Sequence, residues 1–273
     1  MTPVSPPSRP AIAGRAAPLA WATTYTVDAR GPRAVWHVVA ADGSEVQVPF
    51  RYIPAGSADI GSDLDETGRE SDEQRFRLHL SRGRWMAESE TTQLVWAAVI
   101  GTWPATDRDP QRPVEHVSWN DVQEFLTRAR ALAANVPLRL PSEAEWEYAC
   151  RAGGADPAFA SGDPATLDRQ AWYRSTSGDR SQQVGRRAAN ALGLYDLLGN
   201  VWEWCEDRYG TYPLGEATDP LGTERDTRVA RGGGWGDRAP LVRAANRVAL
   251  DPTVRSASLG FRLVIDAEET VAP

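Results

Sequence analysis

Three kinds of apolar pattern run along this chain. The first has strand spacing. Tyr25–Val27, Ala34–Val39 and Glu45–Ile53 read as strands, with Asp42-Gly43 as a hairpin turn between the second and third. Phe76–Leu80 and Arg84–Met86 follow as shorter strands. The second has helical spacing. Val122, Phe125, Leu126, Ala129 and Leu132 share one face of a helix opened by Ser118, with Asp121 in the reciprocal capping position and Asn135 and Pro137 at its end. Thr91 or Thr92 caps a shorter helix that runs to Ile100, with Leu94, Val95, Ala98 and Val99 on one face and Gly101 as its stop. Ser142 and Glu145 cap a third helix, which buries Trp146, Ala149 and Cys150 before Gly153. The third pattern is the lack of a period. Beyond Gly153 regularity fades for about seventy residues, and long irregular stretches in compact domains tend to be functional or pinned by metals. Strands at Arg228–Arg231 and Gly260–Ile265 close the chain.

Within the irregular part, Gly193–Asp207 stands out. Its density of Trp and acids predicts a compact loop entering a short buried strand. Trp202 and Trp204 would share one face, Glu203 and Cys205 the other. A buried carboxylate needs a cation, hydrogen-bond donors or a metal. Glu203 pairing with an arginine and Asn200 capping a turn is the simpler reading. A hard cation held by Asn200, Glu203 and nearby carbonyls is the other.

Composition narrows the chemistry. The 273 residues give one large domain or two small ones. Net charge is −7, so no nucleic-acid partner is expected. No lysine occurs, and all 30 basic residues are arginine. Schiff-base lysine chemistry and a Walker P-loop are thereby excluded, and bidentate pairing with carboxylates is favoured. Cys150 and Cys205 form no CxxC motif and read as two buried thiols. His37, His79 and His116 show no metal-ligand spacing. No apolar run approaches the ~18 residues of a membrane span, so no membrane partner is expected. Residues 1–20, with five prolines, read as a disordered leader rather than a signal peptide, which gives a cytoplasmic location as the expectation. Seven acids in 59–73 read as a solvated surface loop.

Six segments occur in order: Phe50-Arg-Tyr-Ile-Pro-Ala-Gly, Pro113-Val-Glu-His-Val-Ser-Trp, Leu138-Arg-Leu-Pro-Ser-Glu-Ala-Glu-Trp-Glu-Tyr-Ala, Gly193-Leu-Tyr-Asp-Leu-Leu-Gly-Asn-Val-Trp-Glu-Trp, Arg231-Gly-Gly-Gly-Trp and Leu259-Gly-Phe-Arg. Together they resemble the formylglycine-generating enzyme, or sulfatase-modifying factor, family. The resemblance implies an α+β chain with a variant C-type-lectin fold and little regular secondary structure. It implies a family domain over 48–266, behind the 1–20 leader and a β-hairpin extension at 21–47, with a tail at 267–273. It also implies a structural Ca²⁺ held by Asn200, the Val201 carbonyl and Glu203.

Catalytic members of that family oxidise a substrate cysteine with O₂ and copper, using two cysteines in the loop after the glycine-rich turn. Here Asp237 stands about where the first would fall, and no cysteine follows it. Carboxylate does not replace the soft thiolates that Cu(I) needs, so copper is not expected. The sulfoxide-synthase branch holds iron through histidines of a preceding helical domain, and this chain has no counterpart. The stretch Gly232–Val264 is similar in layout to the variable proteins of diversity-generating retroelements. The expectation is a non-catalytic module that binds an unidentified protein or small molecule through Trp235, Gly236, Asp237, Arg238, Ala239, Leu241, Val248, Leu250, Val254, Ser256 and Ser258. Loops on rigid scaffolds carry recognition. Arg243, Arg247 and Arg262, among apolar residues, are expected to be structural. The alternatives are an oxidoreductase with an altered site built on Asp237, Cys205 or His116, and an accessory whose residues 1–47 dock on a larger partner.

Overall fold

The computed structural model describes residues 19–40, 43–104, 107–132, 136–155 and 164–267. Thirteen short strands form three sheets among them. The largest contains β1 (Thr24–Asp28), β2 (Gly31–Val39), β3 (Glu45–Ile53), β6 (Arg84–Ala87), β13 (Val264–Asp266) and β7 (Leu138–Arg139), in that spatial order. A second sheet runs β11 (Arg247–Leu250), β10 (Arg228–Arg231), β8 (Trp202–Arg208), β12 (Leu259–Gly260). A third holds β4 (Gly56–Ile60), β5 (Phe76–Leu80) and β9 (Glu216–Thr218). Four α-helices accompany them among the described residues: α1 (Gln93–Ile100), α2 (Trp119–Leu132), α3 (Glu143–Cys150) and α4 (Pro164–Gln170). Among the described residues no helix is long and apolar enough to cross a membrane.

The caps sit where the sequence puts them. Thr92 Oγ1 accepts from the Val95 amide at 3.3 Å, and Gly101 closes α1 with φ 86°. Ser118 and Asp121 exchange side-chain and backbone hydrogen bonds at the start of α2. Ser142 and Glu145 form a full capping box on α3. Every residue of α3 is buried, its three glutamates included, which the apolar pattern alone did not foretell.

The N-terminal strands belong to the main sheet, and β3 runs across position 47/48. β2 pairs with β3 from Arg33↔Arg51 to Val39↔Glu45, and Trp21 is buried edge-on against Phe50 and Trp85 at 5.4 and 5.6 Å. The expected strand at Gly260–Ile265 is two strands in different sheets. Leu259–Gly260 runs parallel to β8, and Val264–Asp266 pairs with β6 and β7. The acidic loop is not merely solvated, since Glu73 is fully buried. The 1–18 part of the leader, the Asp42 half of the Asp42-Gly43 turn, Asn135 and residues 268–273 of the tail lie outside the described residues.

Two apolar cores flank β8. Trp36, Phe50, Trp85, Trp96, Phe125, Trp204 and Phe261 belong to one. Ile60, Leu78, Trp146, Leu197, Cys205, Val229 and Val264 belong to the other. Trp202 and Trp204 face the first and Cys205 the second, as strand alternation requires.

Candidate functional site

The turn before β8 is the hub of this region. Gly199 and Asn200 both take left-handed backbone, with φ 77° and 57°, a conformation asparagine tolerates better than most side chains. That twist lets Asn200 bind in every direction. Its amide donates to the Trp172 carbonyl and its carbonyl accepts from the Trp235 amide, each at 2.7 Å. Its Oδ1 accepts from the Gln182 amide at 2.8 Å, and its Nδ2 donates to Glu90 Oε2 at 3.0 Å and to the Gln182 carbonyl at 3.2 Å. Three residues on, Glu203 is fully buried and receives the Arg262 guanidinium bidentately, both contacts at 2.6 Å, with the Trp146 indole N–H at 2.7 Å.

Behind the hub, the glycine-rich turn brings the next loop in close. Gly232 has φ 97°, and a Cβ on Gly234 would sit 2.9 Å from the Ser258 Cβ. Asp237 then folds back. Its Oδ2 accepts from the Trp202 indole at 2.7 Å and from the Gly234 amide at 2.8 Å. Trp235 donates its indole N–H to the Ala257 carbonyl at 2.8 Å, and its own carbonyl accepts from the Ser177 hydroxyl at 2.9 Å. Arg174 Nε holds the Gly236 carbonyl at 2.9 Å. Ser258 accepts the Trp202 amide through its carbonyl, and its hydroxyl lies 3.3 Å from that of Ser256.

The expected binding residues are thus only partly brought together. Trp235, Gly236, Asp237, Ser256 and Ser258 are partly buried and knit into one patch around Trp202. Arg238 is exposed, while Ala239 and Leu241 lie on the one-turn helix that follows, with Leu241 37% exposed. Val248, Leu250 and Val254 are partly buried and pack against the first core, while Ala249 is the exposed residue of β11. The arginines are anchors. Arg243 holds Glu73 at 2.9 and 2.7 Å and Glu66 at 2.6 Å, Arg247 holds Glu143 at 2.7 and 2.6 Å, and Arg231 pairs with Glu147.

A model of the sulfatase-modifying factor enzyme 1-like domain matches residues 38–267. The chain belongs to this family. It is 36% identical over 179 residues to a formylglycine-generating enzyme of Streptomyces coelicolor, covering 59% of this chain and 55% of that protein. It is 36% identical over 182 residues to a bovine inactive C-alpha-formylglycine-generating enzyme 2, covering 61% of this chain and 54% of that one. The chain therefore spans about half the length of these curated relatives. Among solved structures, Treponema denticola variable protein 1 superposes with a TM-score of 0.76 at 28% identity, covering 86% of this chain and 99% of that one. The fold is the C-type-lectin variant of the sulfatase-modifying family, with few helices and short strands.

Against that family's copper chemistry, the residues present do not fit. Asp237 already accepts two hydrogen bonds through one oxygen. Cys150 and Cys205 are buried, apart from the loop, and unpaired. Burial pushes the Cys150 thiol up to about 12 and the Cys205 thiol well above its usual value, so neither supplies a thiolate. His116 takes φ 58° with its Nδ1 buried and unbonded, and no cluster of three or more His, Cys, Asp or Glu side chains suited to a metal occurs among the described residues.

The calcium expectation meets a different geometry from the one the motif suggested. Asn200 Oδ1 is committed to Gln182, and Glu203 to Arg262 and Trp146. Sequence reasoning missed Glu90 and Asp196, which are buried within electrostatic reach of Glu203. Asp196 Oδ2 accepts from the Gly185 amide at 2.6 Å, while its Oδ1 is buried without a partner. The Arg262 guanidinium lies within electrostatic reach of these carboxylates, and Arg187 within reach of Asp196. Burial, aided by the neighbouring carboxylates, drives the Glu90 carboxyl well above its usual value and raises Asp196 to about 6. Asp196 Oδ1 is thus a buried carboxylate oxygen beside the Asn200 turn that no hydrogen bond satisfies.

Proposed function

We propose that this chain is a non-catalytic binding module on the sulfatase-modifying scaffold. It would engage an as yet unidentified protein or small molecule through the surface around Trp235, Arg238, Leu241 and Ser256. The observation that carries the reading is the fate of Asp237. The side chain at the position of the family's first loop cysteine is tied into the loop's own hydrogen bonding and leaves no reactive group there. The similarity to a variable protein and to an inactive relative supports it. So does the arrangement of the segment, in which buried Arg243 and Arg247 alternate with outward Arg238, Ala249 and Thr253. A displayed library randomised at Arg238, Leu241, Ala249 and Thr253 should yield folded binders to arbitrary targets. Copper-dependent O₂ consumption with a thiol peptide would sink the proposal.

A structural calcium ion beside the Asn200–Glu203 turn belongs to the same reading, supported by the unsatisfied Asp196 Oδ1. It would neutralise buried charge and hold the Asn200 turn from which Trp235 hangs.

A further inference from the structure

A second concavity lies outside the surface just described. A cavity of about 120 Å³ opens between Gly210–Pro213 and Pro220–Glu224. Its walls carry Glu143, Asp207, Glu224 and Arg247, with Phe76 and Tyr212 as aromatic sides. Drug-sized ligands occupy roughly 300–1,000 Å³, so this space suits a head group rather than a whole molecule.

The charges are unequally satisfied. Arg247 is gripped bidentately by Glu143 and donates to the Gly210 carbonyl at 2.9 Å and the Asp72 carbonyl at 3.2 Å, so that pair is neutral and fully used. The three glutamates of α3 each hold an arginine: Glu143 holds Arg247, Glu145 holds Arg139, and Glu147 holds Arg231. Asp207, on β8 and facing the start of α3, makes no ion pair with a guanidinium among the described residues. It is 97% buried by its 3% exposure, and it accepts only backbone amides, from Glu143 at 2.6 Å and Gly222 at 2.8 Å. Burial, with Glu143 beside it, pushes its carboxyl up to about 7 against the pull of the two amides, and among the described residues no guanidinium donates to it. Glu224 adds a second acid at the rim, bound by the Thr211 hydroxyl at 2.8 Å. The rim is also greasy. Leu221 is 53% exposed, and Leu214, beside the lining Pro213, is 77% exposed.

An acidic floor under an aliphatic rim is complementary to a side chain with an apolar stem and a cationic head. The geometry points to a docking site for a basic side chain of a partner polypeptide, whose guanidinium or ammonium reaches Asp207 while neighbouring apolar residues rest on Leu214 and Leu221. A free small cation would leave both leucines in water, so the polypeptide is the occupant the rim selects.

The test uses the full chain and a fluorescent peptide with a central arginine flanked by leucines, read by anisotropy. The expected result is saturable binding that weakens at least about tenfold when citrulline replaces the arginine, since a charge-assisted bond is lost. Asp207→Asn also disturbs the start of α3, so Glu224→Gln and Leu221→Ser, both on exposed residues, serve as the variants. Each should weaken binding several-fold without changing the circular dichroism. Equal binding of the arginine and citrulline peptides, or no binding of either, would overturn the site. Agmatine binding as tightly as the peptide would overturn the choice of a polypeptide.

Discussion

The indole of Trp202 donates to the carboxylate of Asp237 at 2.7 Å, and the same oxygen takes the Gly234 amide at 2.8 Å. One side chain thus ties β8 to the loop after the glycine turn. Asp237→Ala would strand two donors that the loop cannot otherwise satisfy. The expected cost is about 1–3 kcal/mol in chemical denaturation, with a changed near-ultraviolet tryptophan signal. An unchanged signal and midpoint would mean that the loop holds its shape without Asp237.

Glu203 and Arg262 form an ion pair beside the hub with both side chains fully enclosed. Removing one partner leaves an uncompensated charge. Arg262→Ala should destabilise by about 3–5 kcal/mol, whereas replacing both residues with methionine should recover much of that loss. Equal destabilisation by the single and double replacements would show that the pair matters for something other than mutual neutralisation.

Calcium is the direct probe of the acidic centre. If a dication satisfies Asp196 Oδ1, millimolar Ca²⁺ over EGTA should raise the melting temperature, by mass action worth about 2.7 kcal/mol at a hundredfold excess over Kd. Asp196→Ala should abolish the shift. A Ca²⁺ effect that survives this substitution would place the ion elsewhere.

Glu115 gives a separate pH dependence. Burial raises its carboxyl from the usual 4.5 to about 7, against the pull of Arg112. The folded state therefore holds the proton more tightly than the unfolded chain. The sign follows: this group costs nothing below about 4.5, and its penalty grows as pH climbs to 7 and is complete above it. Glu115→Gln should raise the urea midpoint at pH 8 and change it far less at pH 5. A gain of equal size at both values would mean that the charge is not the cause.

Much of this architecture is written in local signals. The capping pairs Ser118–Asp121 and Ser142–Glu145, the strand Phe76–Leu80 and the alternation of Trp202, Glu203, Trp204 and Cys205 depend only on near neighbours. Even α4 has a local start signal in Pro164, a residue suited to the first turn of a helix. What was not legible depends on distant pairing. Arginine partners for buried acids were expected in kind, but that Glu203 meets Arg262, 59 residues away, is a product of the fold. The split of Gly260–Ile265 between two sheets likewise follows from which strands lie alongside. Asp196 lies within electrostatic reach of Glu90, more than a hundred residues earlier, and no spacing rule connects them.

The brace formed by Arg243 has a consequence for how this sequence can change over time. Its guanidinium clamps Glu66, Glu73 and the Gly68 carbonyl beneath the loop that carries Arg238 and Leu241. Inheritance can therefore rewrite the outward letters without touching the inward ones. A new side chain at Arg238 or Leu241 leaves the clamp standing, whereas one at Arg243, Glu66 or Glu73 takes it apart.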